Sequence, residues 1–566
     1  MLQSPIPNNL TIKLNLLTQK NRYFALKYSV LKHFFKILFS VVIIILLTSN
    51  CARKGRPSGG LKDSIAPIMV TANPPYKSIN FSSKKIKISF DEYITLKNLS
   101  QQLIISPPLK FPPTITPQSS PSEDITIRIT DTLKENTTYT FNFGKSIQDN
   151  NEGNQLKNFK YVFSTGGYID SLKIKGHVKD AFQKEFDKNI NVLLYRIDST
   201  YNDSIIYNKK PNYVANTIDS TLFNITNIAK GNYLLVALQD VSNNYLFNPR
   251  EDKIGVYKRI IELPKDSIIS DPIALFKEVN PFRFTRPKQV AKGKLLFGFE
   301  GDRKNITIEL LSKVSSNFKS IIKFEPQKDT LNYWHTPVKN DSLVFKVSKD
   351  TFIDTVTVFL RKQLIDSLKI NSNATKILDL RDTLTLTSNN PITNIDPSKI
   401  LFIDTDSVNV PFTNLILDKT NQIKFFFSKK SNASYSLKLL PKALTDVFNT
   451  HNDTLNYAFN TKEPEDYASI KLNIINQTTS QIIVELLSEQ NKKTIDKVVV
   501  SNNNIVHFKL LPPGKYIIRA IIDSNSNARW DTGNYLKKTP PEKVIYHPEV
   551  FSIKSNWDAV ENFTIK

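Results

Sequence analysis

The chain has 566 residues, 76 Lys and Arg against 52 Asp and Glu for a net charge of +24, 40% hydrophobic residues and one cysteine. A single cysteine excludes an internal disulfide, so stability has to come from hydrophobic cores. The lysines are scattered through strand-like segments and do not form runs interleaved with aromatics; this argues against nucleic acid and leaves anionic lipid, acidic envelope polysaccharide or no partner behind the charge.

In chain order, residues 1–50 hold Lys13, Lys20, Arg22, Lys27, Lys32 and Lys36 with no acid, and end in a stretch, 37–47, that is apolar but for Ser40. That stretch is too short for a membrane-spanning helix, which needs about 20 residues, and suits the apolar region of a signal peptide. The lead-in before Lys32 is longer than a charged leader requires, so a start of translation at a non-Met codon near Leu31 is expected. Without its six leader cations the chain keeps 70 Lys and Arg against 52 acids, a net +18.

Leu47-Thr48-Ser49-Asn50-Cys51 resembles the lipobox of bacterial lipoproteins, with Asn50 where Gly, Ala or Ser is usual. The resemblance implies cleavage before Cys51 and acylation of its sulfur by palmitate or a similar chain. Each buried CH₂ contributes about 0.8 kcal/mol, so several acyl chains anchor a folded domain durably. The alternative is an incidental buried cysteine behind an uncleaved anchor. Residues 51–63 follow as lipidated Cys and flexible tether. Ala52 is not the Asp associated with inner-membrane retention, and Arg53-Lys54 is unlike the acidic tags of surface export. An outer-membrane protein facing the periplasm is expected, with the cell surface as the other option.

Beyond the tether the pattern is short alternation. Ile86, Ile88 and Phe90 alternate with Lys87 and Ser89; Ile125, Ile127 and Ile129 with Thr126 and Arg128; Tyr139, Phe141 and Phe143 follow suit. Period-two runs bounded by Pro, Asn, Asp and Gly predict half-buried antiparallel strands, and hence an all-β chain of tandem antiparallel β-sandwiches. Two internal repeats set the order of modules. Asn136, Tyr139, Phe163 and Thr165 recur as Asn432, Tyr435, Phe459 and Thr461. Gly231, Tyr233, Ala237, Asp240 and Asn244 recur as Gly514, Tyr516, Ala520, Asp523 and Asn527. The expected modules are 64–166, 167–280, an additional β domain at 281–382, then 383–462 and 463–566 as second copies of the first and second.

FDEYITL at 90–96, ISPP at 105–108, NTTYTFNFG, DNNEGN at 149–154 and FSTG at 163–166 together resemble the bacterial Ig-like domain of S-layer-type proteins and envelope lipoproteins. GHVKDAF at 176–182, NVLLYRIDS at 191–199 and GNYLLVALQD are similar to the transthyretin-like sandwich of carboxypeptidase regulatory domains. The resemblance implies a lipid-anchored, non-catalytic envelope protein. Module 383–462 lacks the FDEY stretch and the EGN turn and reads as a degenerate Ig-like repeat.

Little of the sequence carries reaction chemistry. His177, His335, His451, His507 and His547 are far apart, and no HExxH, GxSxG, Walker A or GxGxxG is present. Asp91 and Glu92 point to opposite faces of a strand, which does not suit paired acid and base work. The sharpest local chemistry is DSNSNARWD, where Asp523, Asn525, Asn527 and Asp531 take positions one, three, five and nine of a calcium-type loop and Asn534 takes twelve. In the first copy Asp240, Ser242, Asn244, Asn248 and Glu251 hold those places. Position six is Tyr245 or Ala528 where the turn wants Gly, so an Asx-turn connection is the competing account of both loops, and any calcium would be held weakly. Asp-Ser and Asp-Thr pairs at 63, 131, 170, 203, 341, 366 and 382 resemble the O-glycosylation acceptors of some exported bacterial proteins, and read equally as turn-to-strand punctuation. Three functions follow: an interaction or spacer protein of the envelope; a glycan-binding lipoprotein, favoured if Trp334 or Trp530 is exposed; or a hydrolase built from scattered carboxylates.

Overall fold

Alternation in Lys85–Leu96 puts Ile86, Ile88, Phe90 and Ile94 on one side of the strand, where all four are buried, while Lys85, Lys87 and Asp91 stay exposed. The same rule repeats along the chain, in a computed structural model that describes residues 63–217, 220–325, 328–417 and 420–566. Five successive sandwiches result, each closing on one apolar core; the fourth carries a further two-stranded sheet, Ile392–Ile395 with Leu444–Asp446.

The first sets Met69–Asn73, Lys85–Leu96, Ser122–Arg128 and Thr114–Thr116 against Ile104–Ser106, Thr138–Asn142 and Lys160–Ser164. The second sets Tyr213–Asn216, Asn191–Arg196, Gly231–Gln239 and Lys253–Val256 against Leu222–Ile228, Leu172–Asp180 and Ile273–Leu275. The third runs from Arg283–Ala291 to Phe352–Phe359, and the fourth from Ile370–Ser372 to Leu455–Asn460. The fifth sets Thr494–Val500, Gln481–Ser488, Gly514–Asp523 and Val544–Tyr546 against Asn504–Leu511, Ala468–Asn476 and Asp558–Ile565.

The repeats are structural twins. Tyr139 accepts a hydrogen bond from the Lys134 amide at 2.9 Å and lies over Phe163, ring centroids 5.5 Å apart; Tyr435 accepts from the Lys430 amide at 2.7 Å and lies over Phe459, also at 5.5 Å. Thr165 donates to the Lys134 carbonyl and Thr461 to the Lys430 carbonyl, closing the same corner. Asn136 and Asn432 turn it at φ 47° and 48°, the left-handed region that asparagine tolerates. In the second and fifth sandwiches Tyr233 donates to Ala229 and Tyr516 to Pro512, four residues upstream in each.

Two features depart from the expected plain antiparallel string. In the second and fifth sandwiches the last strand lies parallel to the first: Ile273–Leu275 on Leu172–Asp180, and Asp558–Ile565 on Ala468–Asn476. The closing strand reaches this edge after crossing from the opposite sheet, so no hairpin dictates its direction. The central strands of these two sandwiches are also covered on both faces. Val192, Leu194, Leu235 and Ala237 enter the sandwich core, while Leu193, Tyr195, Leu234, Val236 and Leu238 form a second cluster behind the sheet. Ile104 of the first sandwich and Tyr535 of the fifth complete that second cluster. The fifth sandwich therefore folds back onto the second.

Candidate functional site

Both turns singled out in the sequence leave the edge of a central strand, and both are held by a carboxylate at its end. Asp240 accepts from the amides of Asn244 at 3.2 Å and Tyr245 at 2.6 Å; Asp523 accepts from those of Asn527 at 3.1 Å and Ala528 at 2.8 Å. The position-six residues stand at φ 62° and 59°. In the first turn Asn244 and Asn248 accept from the amides of Leu246 and Arg250, and Ser242 donates to Glu251 at 3.2 Å. In the second, Asn525 and Asn527 both donate to Asp531 Oδ2, at 2.6 and 2.5 Å. Such bonds describe an Asx-type turn whose oxygens are spent on the chain's own N–H groups. Among the described residues no group of three or more His, Cys, Asp or Glu is placed to hold a metal ion.

The electrostatics of the turns differ. Burial pushes the Asp240 carboxyl up, against the amide bonds it accepts. Burial also acts upward on Asp531, but Asn525, Asn527 and Arg529 outweigh it and leave that carboxyl below the ordinary range. Two buried acids absent from the sequence reading finish the loops. Asp252 accepts from Val241 and Asn248, and Glu542 from Ser524 and Asp531. Polar spacing within one turn does not reveal them, because each arrives from the returning limb.

The second turn is a docking element within the chain. Trp530 donates to the Glu542 carbonyl at 2.9 Å and packs its half-buried ring on Phe182 of the second sandwich, centroids 4.5 Å apart. Thr532 donates to the Lys277 carbonyl at 2.6 Å, Glu278 accepts from the Tyr535 amide at 2.5 Å, and Lys538 pairs with Asp203 at 3.0 Å. Beside it the Arg519 guanidinium lies 3.8 Å from the centre of the Phe182 ring while pairing with Glu485 at 2.7 Å, both side chains being nearly buried.

The histidines fall in separate places. His335 is buried in the third sandwich, where burial pushes its pKa down; His547 packs on Phe551 and Phe563 in the fifth. Of the Asp-Ser and Asp-Thr pairs, Ser64, Thr132, Ser171, Ser204 and Ser367 are exposed, whereas Ser342 and Thr383 are half-buried. Cys51 and the leader lie outside the described residues.

Between the third and fourth sandwiches runs a crevice of about 510 Å³, within the range of about 300–1,000 Å³ typical of ligand clefts. Its floor is the outer face of the strands Lys294–Glu300, Thr330–His335 and Ser320–Phe324, and its wall includes residues 387–389 and 420–422. Trp334 lines this floor yet is only 2% exposed. Sequence reasoning noted Trp334 but could not see the crevice, because its two walls come from different sandwiches.

Residues 63–165 match the family model of the bacterial Ig-like domain. No curated protein matches the chain. Among solved structures, the surface layer protein SbsC, domains 1-6, is 10% identical over 87% of this chain and 68% of that one, with a TM-score of 0.14. The Bacillus anthracis TIE protein is 9% identical over 90% and 76%, with a TM-score of 0.14. The Bacteroides ovatus protein SGBP-B, solved with a mixed-linkage heptasaccharide, is 10% identical over 67% and 94%, with a TM-score of 0.18. At those scores none of the three informs the reading of a site.

Proposed function

We propose that this chain is a non-catalytic cell-envelope protein, acylated at Cys51 and held at the outer membrane on its periplasmic side, that works as a rigid interaction platform. The platform comprises a bacterial Ig-like module at 64–166, transthyretin-like modules at 167–280 and 463–566, an additional β domain at 281–382 and a degenerate Ig-like repeat at 383–462. The observation that carries the reading is the packing of Trp530, Tyr535 and Arg519 against the second sandwich. A spacer gains reach by stacking modules end to end. Here the fifth module instead packs on the second, which joins two modules far apart in the chain. The arrangement favours presenting surfaces over spanning a distance.

Labelling with radioactive palmitate tests the anchor, and protease treatment of intact cells tests the side of the membrane. Label in the wild type and none in Cys51→Ala is expected, with the protein protected until the outer membrane is opened. Equal labelling of both proteins would refute the anchor, and digestion on intact cells would move the platform to the surface.

A further inference from the structure

We propose that the seam between the first and second sandwiches binds the phosphate headgroup of an anionic lipid, with the lipid's apolar part against Leu222 and Ile268. The proposal rests on the reading of the chain as an envelope protein and names the class of ligand it takes there. Lysines scattered along the sequence are not scattered on the sheet. In Leu172–Asp180 the inward residues Ile174 and Val178 join the core, so Lys173, Lys175, His177 and Lys179 follow one another along the outer face, about 7 Å apart. The three lysines are exposed and His177 is half-buried. Their neighbours across the sheet are uncharged: Thr226 opposite Lys173, Asn224 opposite Lys175, Leu222 opposite His177 and Ala274 beside Lys179. The fold does not ask for such a row. On the first strand of the fifth sandwich, Ala468–Asn476, the outward places hold Ser469, Lys471, Asn473 and Ile475, and an acid, Asp558, accepts a hydrogen bond from Ser469.

The first sandwich closes one end of the row. Its Lys160 donates to Thr226 Oγ1 at 3.0 Å, beside a cleft of about 720 Å³ whose lining includes Lys160, Lys175, His177, Leu222, Asn224 and Ile268. Lys160 is half-buried, burial pushes its pKa down, and the partner it finds is a hydroxyl where a carboxylate would be expected. Among the described residues none of Lys160, Lys173, Lys175 and Lys179 enters an ion pair, and Asp271, which interacts with His177, is already paired with Lys258 at 2.5 Å. Converging cations repel one another, and an anion set among them removes that cost. Lysine serves phosphate as a point charge. Leu222 and Ile268 select the lipid. They are 66% and 75% exposed in the same cleft, Leu222 opposite His177 and Ile268 bridged to Lys175. A soluble phosphate leaves both in water, whereas the acyl part of a lipid covers them. A nucleic-acid surface would carry aromatic rings at such places for bases to stack on.

The test uses the full chain in nonionic detergent, titrated by calorimetry with dihexanoyl phosphatidylglycerol, dihexanoyl phosphatidylcholine and glycerophosphoglycerol, the deacylated headgroup of the first. Phosphatidylglycerol should bind, phosphatidylcholine should not, and the bare headgroup should bind more weakly than its lipid. Lys173→Gln and Lys175→Gln, at exposed places that leave the core untouched, should each weaken phosphatidylglycerol about fivefold. Leu222→Ser with Ile268→Ser should bring it down to the affinity of the bare headgroup. Lys471→Gln, on the outer face of the fifth sandwich, should change nothing. Binding of neither lipid, equal binding of both, or phosphatidylglycerol binding that folded Lys173→Gln and Lys175→Gln leave intact would overturn the proposal. Bare headgroup bound as tightly as the lipid, with the serine substitutions neutral, would overturn the lipid and make the seam a site for soluble phosphate esters. Palmitate labelling reports the acyl anchor separately, so a failure here leaves that part of the envelope reading standing.

Discussion

The strands Gly231–Gln239 and Gly514–Asp523 occupy the same place in two copies of one fold, and both have apolar outer faces, Leu234 and Leu238 in one and Ile517 and Ile521 in the other, yet the position between them differs in chemistry. Where Leu193 lies beside Val236 in the first copy, Glu485 lies beside Arg519 in the second. The inner face is conserved in kind: Tyr233, Leu235 and Ala237 against Tyr516, Ile518 and Ala520. A sandwich core tolerates only apolar side chains of fitting volume, so both copies keep it. The outer face answers to whatever covers it. In the second sandwich that cover is a mixed apolar cluster from the first and fifth, and in the fifth it is the Phe182 ring, whose centre lies 3.8 Å from the Arg519 guanidinium. Repeated modules thus keep their interiors and diverge at their seams.

The largest effect should come from splitting the unlike pair. Arg519→Ala leaves Glu485 buried without its partner and is expected to destabilise the protein by about 3–5 kcal/mol in urea titration. Glu485→Leu combined with Arg519→Val copies the first sandwich and should recover most of that loss, since a buried ion pair and a well-packed apolar pair are close in stability. A double variant as unstable as the single one would mean the guanidinium is required for docking on Phe182.

Next comes the seam itself. Tyr535→Ala removes an aromatic, 8% exposed, from the cluster behind the second sandwich and should cost about 3 kcal/mol. Small-angle scattering should then show a larger radius of gyration as the fifth sandwich swings away. An unchanged radius would show that the remaining contacts, Thr532 to Lys277 and Lys538 to Asp203, hold the fold-back alone.

The two turns give a smaller contrast. Asp523 is fully buried and serves three donors, the third being Gln481 at 2.9 Å, whereas Asp240 is half-buried and serves two. Asp523→Ala should cost about 2–3 kcal/mol and Asp240→Ala about 1 kcal/mol, read as the order of their thermal midpoints. A reversed order would show that turn rigidity, and not burial, sets the cost.

Smallest is the backbone strain at position six. Ala528 stands at φ 59°, a region that disfavours side chains by about 1 kcal/mol. Ala528→Gly should therefore raise stability by about 0.5 kcal/mol after the entropy of glycine is counted. Tyr245→Gly relieves the same strain but removes a ring packed behind the second sandwich, so it should lower stability. Calorimetry of the two variants distinguishes strain from packing.

Much of this was legible in residue pattern. Alternation in 85–90, 125–129 and 139–143 marks strands with one buried face, and the two spaced repeats name the residues that build matching corners. The Asp and Asn spacing of 523–531 identified a turn, though it could not say whether its oxygens face a cation or the chain's own amides. One signal passed unread. NVLLYR, YLLVALQ, QIIVELL and YIIRAII do not alternate, and a strand apolar on both sides needs cover on both sides. Those runs announce a second contact surface without naming what sits on it.

The sequence by itself determined the β class and which face of each alternating strand turns inward, because strand periodicity and core apolarity are local properties of short segments. Only the tertiary structure decided that the fifth sandwich returns to the second, that Trp530 packs on Phe182, and that Trp334 lies under the fourth sandwich. Those contacts join residues far apart in the chain, and their partners are chosen by shape and by which polar groups remain to be satisfied once each sandwich has closed.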